Sequence, residues 1–206
     1  AGFRDKKVVQ EILHDCSRHR PQGVHLAASQ QPAALPGVRE RWKFIEPTLR
    51  KAPFIKMVPM LGSLGCPYTC SFCIDSTVPY RPLDFDTMKQ DLSFLLRQFK
   101  RPLVGWHDPN FGVRFDDYMS AIEETVPPDG IDFIAESSLS LLSESHVKRL
   151  KRNGFKALLP GIESWYDLGE KSRTGAVTGI DKVRQVSGQI NMIMRSIPYV
   201  QANFVL

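Results

Sequence analysis

The chain has 206 residues, of which 42% are hydrophobic and 24% charged, and its formal net charge is +5 at pH 7. This composition is typical of a globular domain and excludes collagen-like, low-complexity and disulfide-scaffold proteins. No apolar run approaches the roughly 18–20 residues of a membrane-spanning helix, and the basic residues are spread along the chain. We therefore expect neither a membrane nor a nucleic acid as partner.

The beginning of the chain differs in composition from the rest. A helical pattern over residues 5–20 is followed by a stretch rich in Pro, Gln, Gly and Ala. A second helical pattern covers residues 38–53, and we expect it to break near Pro47 because proline removes a helical hydrogen bond. We interpret residues 1–52 as a leader or the remnant of a preceding domain, and residues 53–206 as the core domain.

Within the core, short apolar runs alternate with amphipathic helical patterns. The strands are predicted at 54–61, 102–106, 131–136, 155–163 and 199–206, and the helices at 83–99, 115–126, 143–154 and 180–194. Asp84 or Asp86 and Ser143 are the predicted N-terminal caps of two of these helices. The alternation predicts an α/β fold with a parallel sheet and right-handed crossovers. Because the last apolar strand has no helix after it, we expect a fragment of a larger fold.

Polar and glycine-containing segments follow each of the first four predicted strands. They are "GSLGCPYTCSFCIDS" (62–76), "WHDPNFG" (106–112), "AESS" (135–138) and "GIESWYDLGEKSRTG" (161–175). In parallel β/α folds the loops at the carboxyl ends of the strands converge and carry the chemistry. These four segments therefore predict one functional site at that edge of the sheet.

The first segment contains three of the four cysteines, Cys66, Cys70 and Cys73, in a C-x3-C-x2-C spacing. Thiolates are soft ligands that suit zinc or iron–sulfur centres. A structural zinc site takes four ligands, whereas a four-iron cluster held by three cysteines leaves one iron open to a small molecule. The spacing favours a cluster enzyme; the alternative is a non-enzymatic zinc or iron–sulfur binding module. So few cysteines in a chain of this length, and its charged start, indicate a cytoplasmic location.

The segment "GCPYTCSFC", which follows the first predicted strand, resembles the motif of the radical S-adenosylmethionine (SAM) superfamily. It is most similar to the branch often accompanied by a cobalamin-binding domain. The resemblance covers about residues 53–206 and implies a parallel (β/α) partial barrel, truncated after about five of its six βα units. It implies that Cys66, Cys70 and Cys73 ligate a 4Fe–4S cluster, with Phe72 at the aromatic position. The open iron would bind SAM, and one electron would cleave it to methionine and a 5′-deoxyadenosyl radical.

The same resemblance implies SAM-contacting residues after the fourth strand. Glu163 and Ser164 in "PGIES" look like the GxES element of this branch, and Lys171 is similar to a downstream lysine that reaches a carboxylate. The alternative for Glu163 is a carboxylate that stabilises the dipole of the following helix.

Two other strand ends supply further candidates. Asp108 and Asn110 follow the second predicted strand, at the position of the motif that contacts the methionine amine in this family. The usual Gly-Gly-Glu sequence of that motif is absent. Their alternative is a turn, which Asp-Pro and Asn favour. Glu136 ends an otherwise apolar strand, where an unpaired carboxylate is costly. It is a candidate SAM or substrate ligand, with a structural salt bridge as the alternative.

The expected cofactors are the 4Fe–4S cluster and SAM. Cobalamin is a further candidate, bound mainly outside this chain, because residues 1–52 are too few for a cobalamin domain and lack a D-x-H-x2-G motif. The expected partners are a substrate that the sequence does not identify and a reductant such as flavodoxin or ferredoxin.

Overall fold

The computed structural model describes residues 6–18, 36–52, 56–165 and 179–204. The helices are α1 (Lys6–Ser17), α2 (Val38–Lys51), α3 (Phe85–Gln98), α4 (Phe115–Thr125), α5 (Glu144–Arg152) and α6 (Gly179–Met194). The strands are β1 (Met57–Met60), β2 (Ser63–Leu64), β3 (Arg81–Pro82), β4 (Leu103–Trp106), β5 (Asp132–Ser138), β6 (Phe155–Glu163), β7 (Tyr199–Val200) and β8 (Asn203–Phe204). None of the described helices is long and apolar enough to cross a bilayer.

The chain divides into two compact units, Ala1–Leu35 and Pro36–Leu206. The first contains α1, and the second contains all the other elements. Composition predicts a boundary after residue 52, whereas the structure groups residues 36–52, and with them α2, with the sheet.

The second unit is built on a parallel sheet in the order β1-β4-β5-β6-β7, with β8 also beside β6. Every pairing in this sheet is parallel, and helices lie between the successive strands from β1 to β7. The α/β class and the parallel partial barrel are therefore confirmed. Among the described residues the sheet stays open between β1 and β7.

One face of the sheet is buried and the other is partly exposed. The register partners Val58, Val104 and Phe133 are almost completely buried, because side chains of one parity along each strand pack beneath the helices. Side chains of the other parity, such as Ile134 and Leu159, are half-buried. The open face therefore presents the side chains that lead to the carboxyl ends of the strands.

Two predicted helix caps are confirmed. The Asp84 carboxylate accepts a hydrogen bond of 2.9 Å from the backbone N–H of Thr87 and begins α3. The Ser143 hydroxyl accepts one of 3.2 Å from the N–H of His146 and begins α5. Both bonds satisfy amide groups that lack a partner within the helix.

The predicted break at Pro47 is wrong, because α2 continues through it to its end. The buried Asp91 carboxylate accepts the first two amide N–H groups of α2. Trp42 packs edge-on against Phe94 and Phe99, with ring centroids 5.1 and 5.9 Å apart. This anchoring outweighs the ~3 kcal/mol that an interior proline costs a helix.

The end of the chain also differs from the prediction. The expected single strand over 199–206 is two short strands, β7 and β8, separated where the N–H of Gln201 donates to Leu158 O at 3.0 Å. In the first turn of α6 the apolar side chain of Ile180 is 64% exposed, whereas Lys182 is buried. The antiparallel ribbon of β2 and β3 carries no apolar alternation and was not predicted.

Candidate functional site

The polar segments predicted to form a site, as far as the structure describes them, lie at the carboxyl edge of four neighbouring strands, β1, β4, β5 and β6. The N–H of His107 donates to Met60 O at 2.8 Å, which extends the β1–β4 pairing into the loops. Asp108 follows β4, Glu136 lies near the end of β5, and Glu163 ends β6. We call this region the carboxyl edge.

Residues 65–80, between β2 and β3, form the cysteine loop. The two strands pair Ser63 with Pro82 and Leu64 with Arg81, and so close the loop with a short stem. Gly65 begins it at φ +66°, and a Cβ there would collide with the carbonyl oxygens of Val78 and Pro79. Only glycine tolerates both that conformation and that approach.

The three cysteines of this loop differ in exposure. Cys66 is 5% and Cys70 2% exposed, whereas Cys73 is half-buried. The Cys66 N–H donates to Asp75 O at 3.0 Å, and the Ser76 hydroxyl donates to the carbonyls of Cys70 (3.0 Å) and Cys73 (2.6 Å). The backbone of the loop is therefore held by its own hydrogen bonds.

The thiol groups themselves do not converge. Nowhere in the described residues do three His, Cys, Asp or Glu side chains lie close enough to hold a metal ion. Phe72 and Ile74, on either side of Cys73, are 40% and 79% exposed. A ligand shared by the three cysteines would therefore have to draw their side chains together.

Asp108 is the most deeply buried carboxylate at the carboxyl edge, with 1% of its surface exposed. The Ser63 hydroxyl donates to its Oδ1, whereas Oδ2 is buried and has no hydrogen-bond partner among the described residues. The pKa of Asp108 is about 6, against its ordinary 3.8: burial is the main cause of the rise and the Glu136 charge adds to it, while the Ser63 and Tyr118 hydroxyls act against it. An unpaired buried carboxylate oxygen is suited to accept a hydrogen bond from an N–H or O–H group of a ligand.

Asn110 is used within the protein. Its Nδ2 donates to Ser138 Oγ at 3.0 Å, and the Ser138 N–H donates to its Oδ1 at 3.2 Å. Both residues are almost completely buried. The amide of Asn110 therefore ties the loop after β4 to the end of β5, and its predicted contact with SAM stays a prediction.

Glu163 has a strained backbone, with φ +67° in a non-glycine residue. It forms the centre of a tight turn in which the Ser164 N–H donates to Ile162 O at 2.8 Å. Its carboxylate folds back so closely that a Cβ on Gly161 would overlap Oε1. Such conformations cost ~1–3 kcal/mol and cluster at functional sites.

The other predicted site residues are placed as follows. Glu136 is exposed on the open face of the sheet, with Leu159 as its register partner. Ser164 is half-buried directly after β6. Lys171 lies outside the described residues.

Three side chains at the carboxyl edge were not predicted as part of a site. The Tyr118 hydroxyl donates to Gly62 O at 2.7 Å, although the predicted helix over 115–126 offered no candidate site residue. Ser63 was part of a polar segment, but nothing marked its bond to the Asp108 carboxylate. Lys182 is 2% exposed in the first turn of α6, where a lysine normally indicates a solvated position.

Comparison with known proteins gives distant relatives. No family model matches the chain. A curated relative, the bacteriochlorophyllide d C-12(1)-methyltransferase of Chlorobaculum tepidum, is 25% identical over 167 residues, which are 77% of this chain and 36% of that protein.

Solved structures give the fold. The radical SAM methyltransferase TsrM from Kitasatospora setae, with tryptophan and a SAM analogue bound, matches with a TM-score of 0.59 at 15% identity over 98% of this chain and 45% of its own. The cobalamin-dependent SAM radical enzyme OxsB matches with a TM-score of 0.58 at 14% identity over 98% of this chain and 32% of its own. This chain spans less than half the length of each of these relatives. The chain has the fold of the radical SAM core domain.

Proposed function

We propose that this chain is the core of a radical SAM enzyme, in which Cys66, Cys70 and Cys73 hold a 4Fe–4S cluster and the carboxyl edge binds SAM. The observation that carries the proposal is a closed three-cysteine loop, directly after the first strand of a parallel sheet with the radical SAM core fold. A cluster with one open iron would supply the electron that cleaves SAM to methionine and a 5′-deoxyadenosyl radical.

The donor chemistry of the chain fits this cluster. Three thiols on one loop are a ligand set for iron–sulfur, and a fourth cysteine is not needed when one iron binds a small molecule. Ser76 and the stem of the loop fix the backbone on which the thiols lie. A reducing cytoplasm, which we propose as the location, would keep the thiols reduced and able to bind iron.

The carboxylates of the carboxyl edge have distinct proposed roles. The unpaired Oδ2 of Asp108 would accept a hydrogen bond from the ammonium group of SAM, since a buried carboxylate gains most from a charged donor. Glu136 and Glu163 would accept hydrogen bonds from ribose hydroxyls or from substrate. Ser164 would assist Glu163, and Lys171 would pair with the carboxylate of SAM.

Asn110 and Phe72 complete the proposed site in supporting positions. Asn110 would hold the loop of Asp108 in place through Ser138. Phe72, partly exposed beside Cys73, would cover one side of the cluster.

The relatives suggest a class of reaction for this chain but no substrate. The curated relative and TsrM are both methyltransferases, so methyl transfer is the reaction to test first. OxsB is cobalamin-dependent, which supports cobalamin as a second cofactor, bound mainly by residues outside this chain. A flavodoxin or ferredoxin is the proposed source of the electron.

Anaerobic reconstitution with iron and sulfide tests the proposed cluster. We expect about four iron and four sulfide per chain and the brown colour of a cluster. If the chain instead takes up one tightly held zinc ion and no stoichiometric iron, it is a zinc module and the proposal is wrong.

Gly161 gives a test of the role of Glu163. In a Gly161→Ala variant the added methyl group would occupy the place of the Glu163 carboxylate, which must rotate away. Since the displaced group is the end of a flexible side chain, we expect the free energy of unfolding to change by less than about 1 kcal/mol. We expect SAM affinity, measured by calorimetry on the iron-loaded protein, to fall about tenfold for loss of one charged hydrogen bond.

Gly188→Ala is the matched control for this variant. A Cβ at Gly188 in α6 has no neighbour within 4 Å, so this change should leave SAM affinity intact. Equal SAM affinity in the Gly161 and Gly188 variants would exclude Glu163 from the site.

A further inference from the structure

We infer that the Tyr118 hydroxyl, together with the bond between Ser63 and Asp108, positions the cysteine loop for cluster binding. We call Gly62, Ser63, Asp108 and Tyr118 the loop brace. The inference rests on the proposed function for its purpose, while the brace itself is a property of the protein without any cofactor.

The first part of the brace is the carbonyl of Gly62, which precedes the stem of the cysteine loop. It accepts a hydrogen bond of 2.7 Å from the Tyr118 hydroxyl and another of 2.7 Å from the Leu83 N–H. Leu83 directly follows β3, so this carbonyl joins both ends of the stem. Tyr118 thereby fastens the base of the loop to α4.

The second part of the brace is the next residue along the chain. Ser63 is 1% exposed, and its hydroxyl donates to Asp108, which lies beyond the end of β4. Space around Gly62 is full, because a Cβ there would overlap Asp108 Oδ2 and lie 3.1 Å from Trp106 Cε3. Gly62 is therefore held by α4 and Ser63 by the loop after β4. Cys66 follows three residues after Ser63.

The contribution of the Tyr118 hydroxyl can be tested separately from that of the ring. The ring stacks on Phe111 at 5.2 Å between centroids and contacts Trp106 and Phe85, so phenylalanine would keep these contacts. Burial raises the pKa of Tyr118, so the hydroxyl stays a protonated donor at all working pH values. Tyr118→Phe therefore keeps the ring and removes the hydrogen bond to Gly62 O, together with the electrostatic interactions of the same hydroxyl with Asp108 and Tyr80.

Hydrogen–deuterium exchange on the iron-free protein tests the brace directly. In Tyr118→Phe we expect the amides of residues 63–66, of Arg81 and of Leu83 to exchange about fivefold faster, the effect of losing one buried hydrogen bond. The amides of α5, which packs against α4 through Arg149 and His146 but lies outside the brace, should exchange at the wild-type rate. Tyr199→Phe, at a side chain that is 71% exposed, is the matched control and should change neither group.

Ser63→Ala removes the other hydrogen bond of the brace, the one to Asp108, and should accelerate hydrogen exchange of the same amides. Unchanged exchange of the loop in both variants, or an equal acceleration in α5 and the loop, would overturn the inference. The second outcome would show a general loss of stability instead of local positioning.

The reconstituted protein gives a second readout. We expect Tyr118→Phe, unlike Tyr199→Phe, to lose iron to a chelator about fivefold faster and to alter the line shape of the paramagnetic cluster signal. If the wild-type chain binds no cluster, the proposed function fails, and the exchange experiment still decides the brace. If the cluster forms and loses iron equally fast in both variants, positioning by Tyr118 is wrong and the proposed function stands.

Discussion

Replacing Asp108 by asparagine is expected to stabilise the ligand-free protein at neutral pH and to weaken SAM binding. The pKa of Asp108 in the folded protein is about 6, against an ordinary value of 3.8, chiefly because the carboxylate is buried. The folded state therefore binds this proton more tightly than the unfolded state does. The stability of the wild type should fall as the pH rises from about 4 to about 6, and the penalty is complete above pH 6.

The size of this effect follows from the same shift. Two pKa units correspond to about 3 kcal/mol, an upper limit for the penalty of ionising Asp108. Asparagine removes the charge and keeps an oxygen for the Ser63 hydroxyl, but buries an unpaired amide N–H at about 1–2 kcal/mol. We expect a net gain of about 1–2 kcal/mol at pH 7, measured as the free energy of unfolding in urea.

The pH dependence distinguishes this explanation from others. The stability difference between Asp108→Asn and the wild type should grow between pH 4 and pH 6 and be constant above. Asp86→Asn, at an exposed position in the first turn of α3, is the matched control and should show no such growth. A difference that does not depend on pH would contradict the assignment of a raised pKa to Asp108.

The same variant should lose function while it gains stability. Asparagine carries no negative charge and replaces one acceptor oxygen by an NH2 donor, so SAM affinity of the iron-loaded protein should fall about thirtyfold, or about 2 kcal/mol. A site that destabilises the free protein in order to bind its ligand is a common compromise in enzymes. SAM binding at wild-type affinity in Asp108→Asn would remove Asp108 from the proposed site.

The largest effect is expected from the cysteines of the loop. Single replacement of Cys66, Cys70 or Cys73 by alanine should prevent a stable cluster and thereby abolish SAM binding. Each change removes one small buried or half-buried group, so the free energy of unfolding of the iron-free protein should fall by only about 1–2 kcal/mol. Iron analysis after reconstitution and calorimetry with SAM measure the two expected losses.

Cys16→Ala is the control for these three variants. Cys16 is exposed on α1, in the unit Ala1–Leu35, and is not part of the cysteine loop. This variant should take up iron and bind SAM as the wild type does. Loss of the cluster in Cys16→Ala, or its retention in Cys70→Ala, would contradict the proposed ligand set.

Much of the fold could be predicted because its signals are local. Apolar runs and helical spacing predicted the strands of the parallel sheet and the helices between them, and Ser143 marked the start of α5. The break at Pro47 was predicted from a local cost, whereas the outcome depends on the packing of Trp42 and on Asp91, which is distant in sequence. The short ribbon of β2 and β3 has no periodic pattern to detect.

In the candidate site, too, the placement of residues could be predicted from the sequence, whereas their contacts with distant residues could not. The topology rule predicted that Asp108 and Glu136 would lie at one edge, and their charges do interact there. The rule could not show that Asn110 is bonded to Ser138, because that contact joins two loops whose side-chain directions no sequence pattern fixes. The burial of Lys182 was missed for a similar reason, since lysine at a helix start normally faces water.

The electron paramagnetic resonance spectrum of the reduced, reconstituted protein, recorded with and without SAM, tests the central proposal most directly. A cluster with one open iron that binds SAM should give a signal whose position and shape change when SAM is added, and Asp108→Asn should weaken this response. A cluster signal that is identical with and without saturating SAM would contradict the proposal that this site binds SAM.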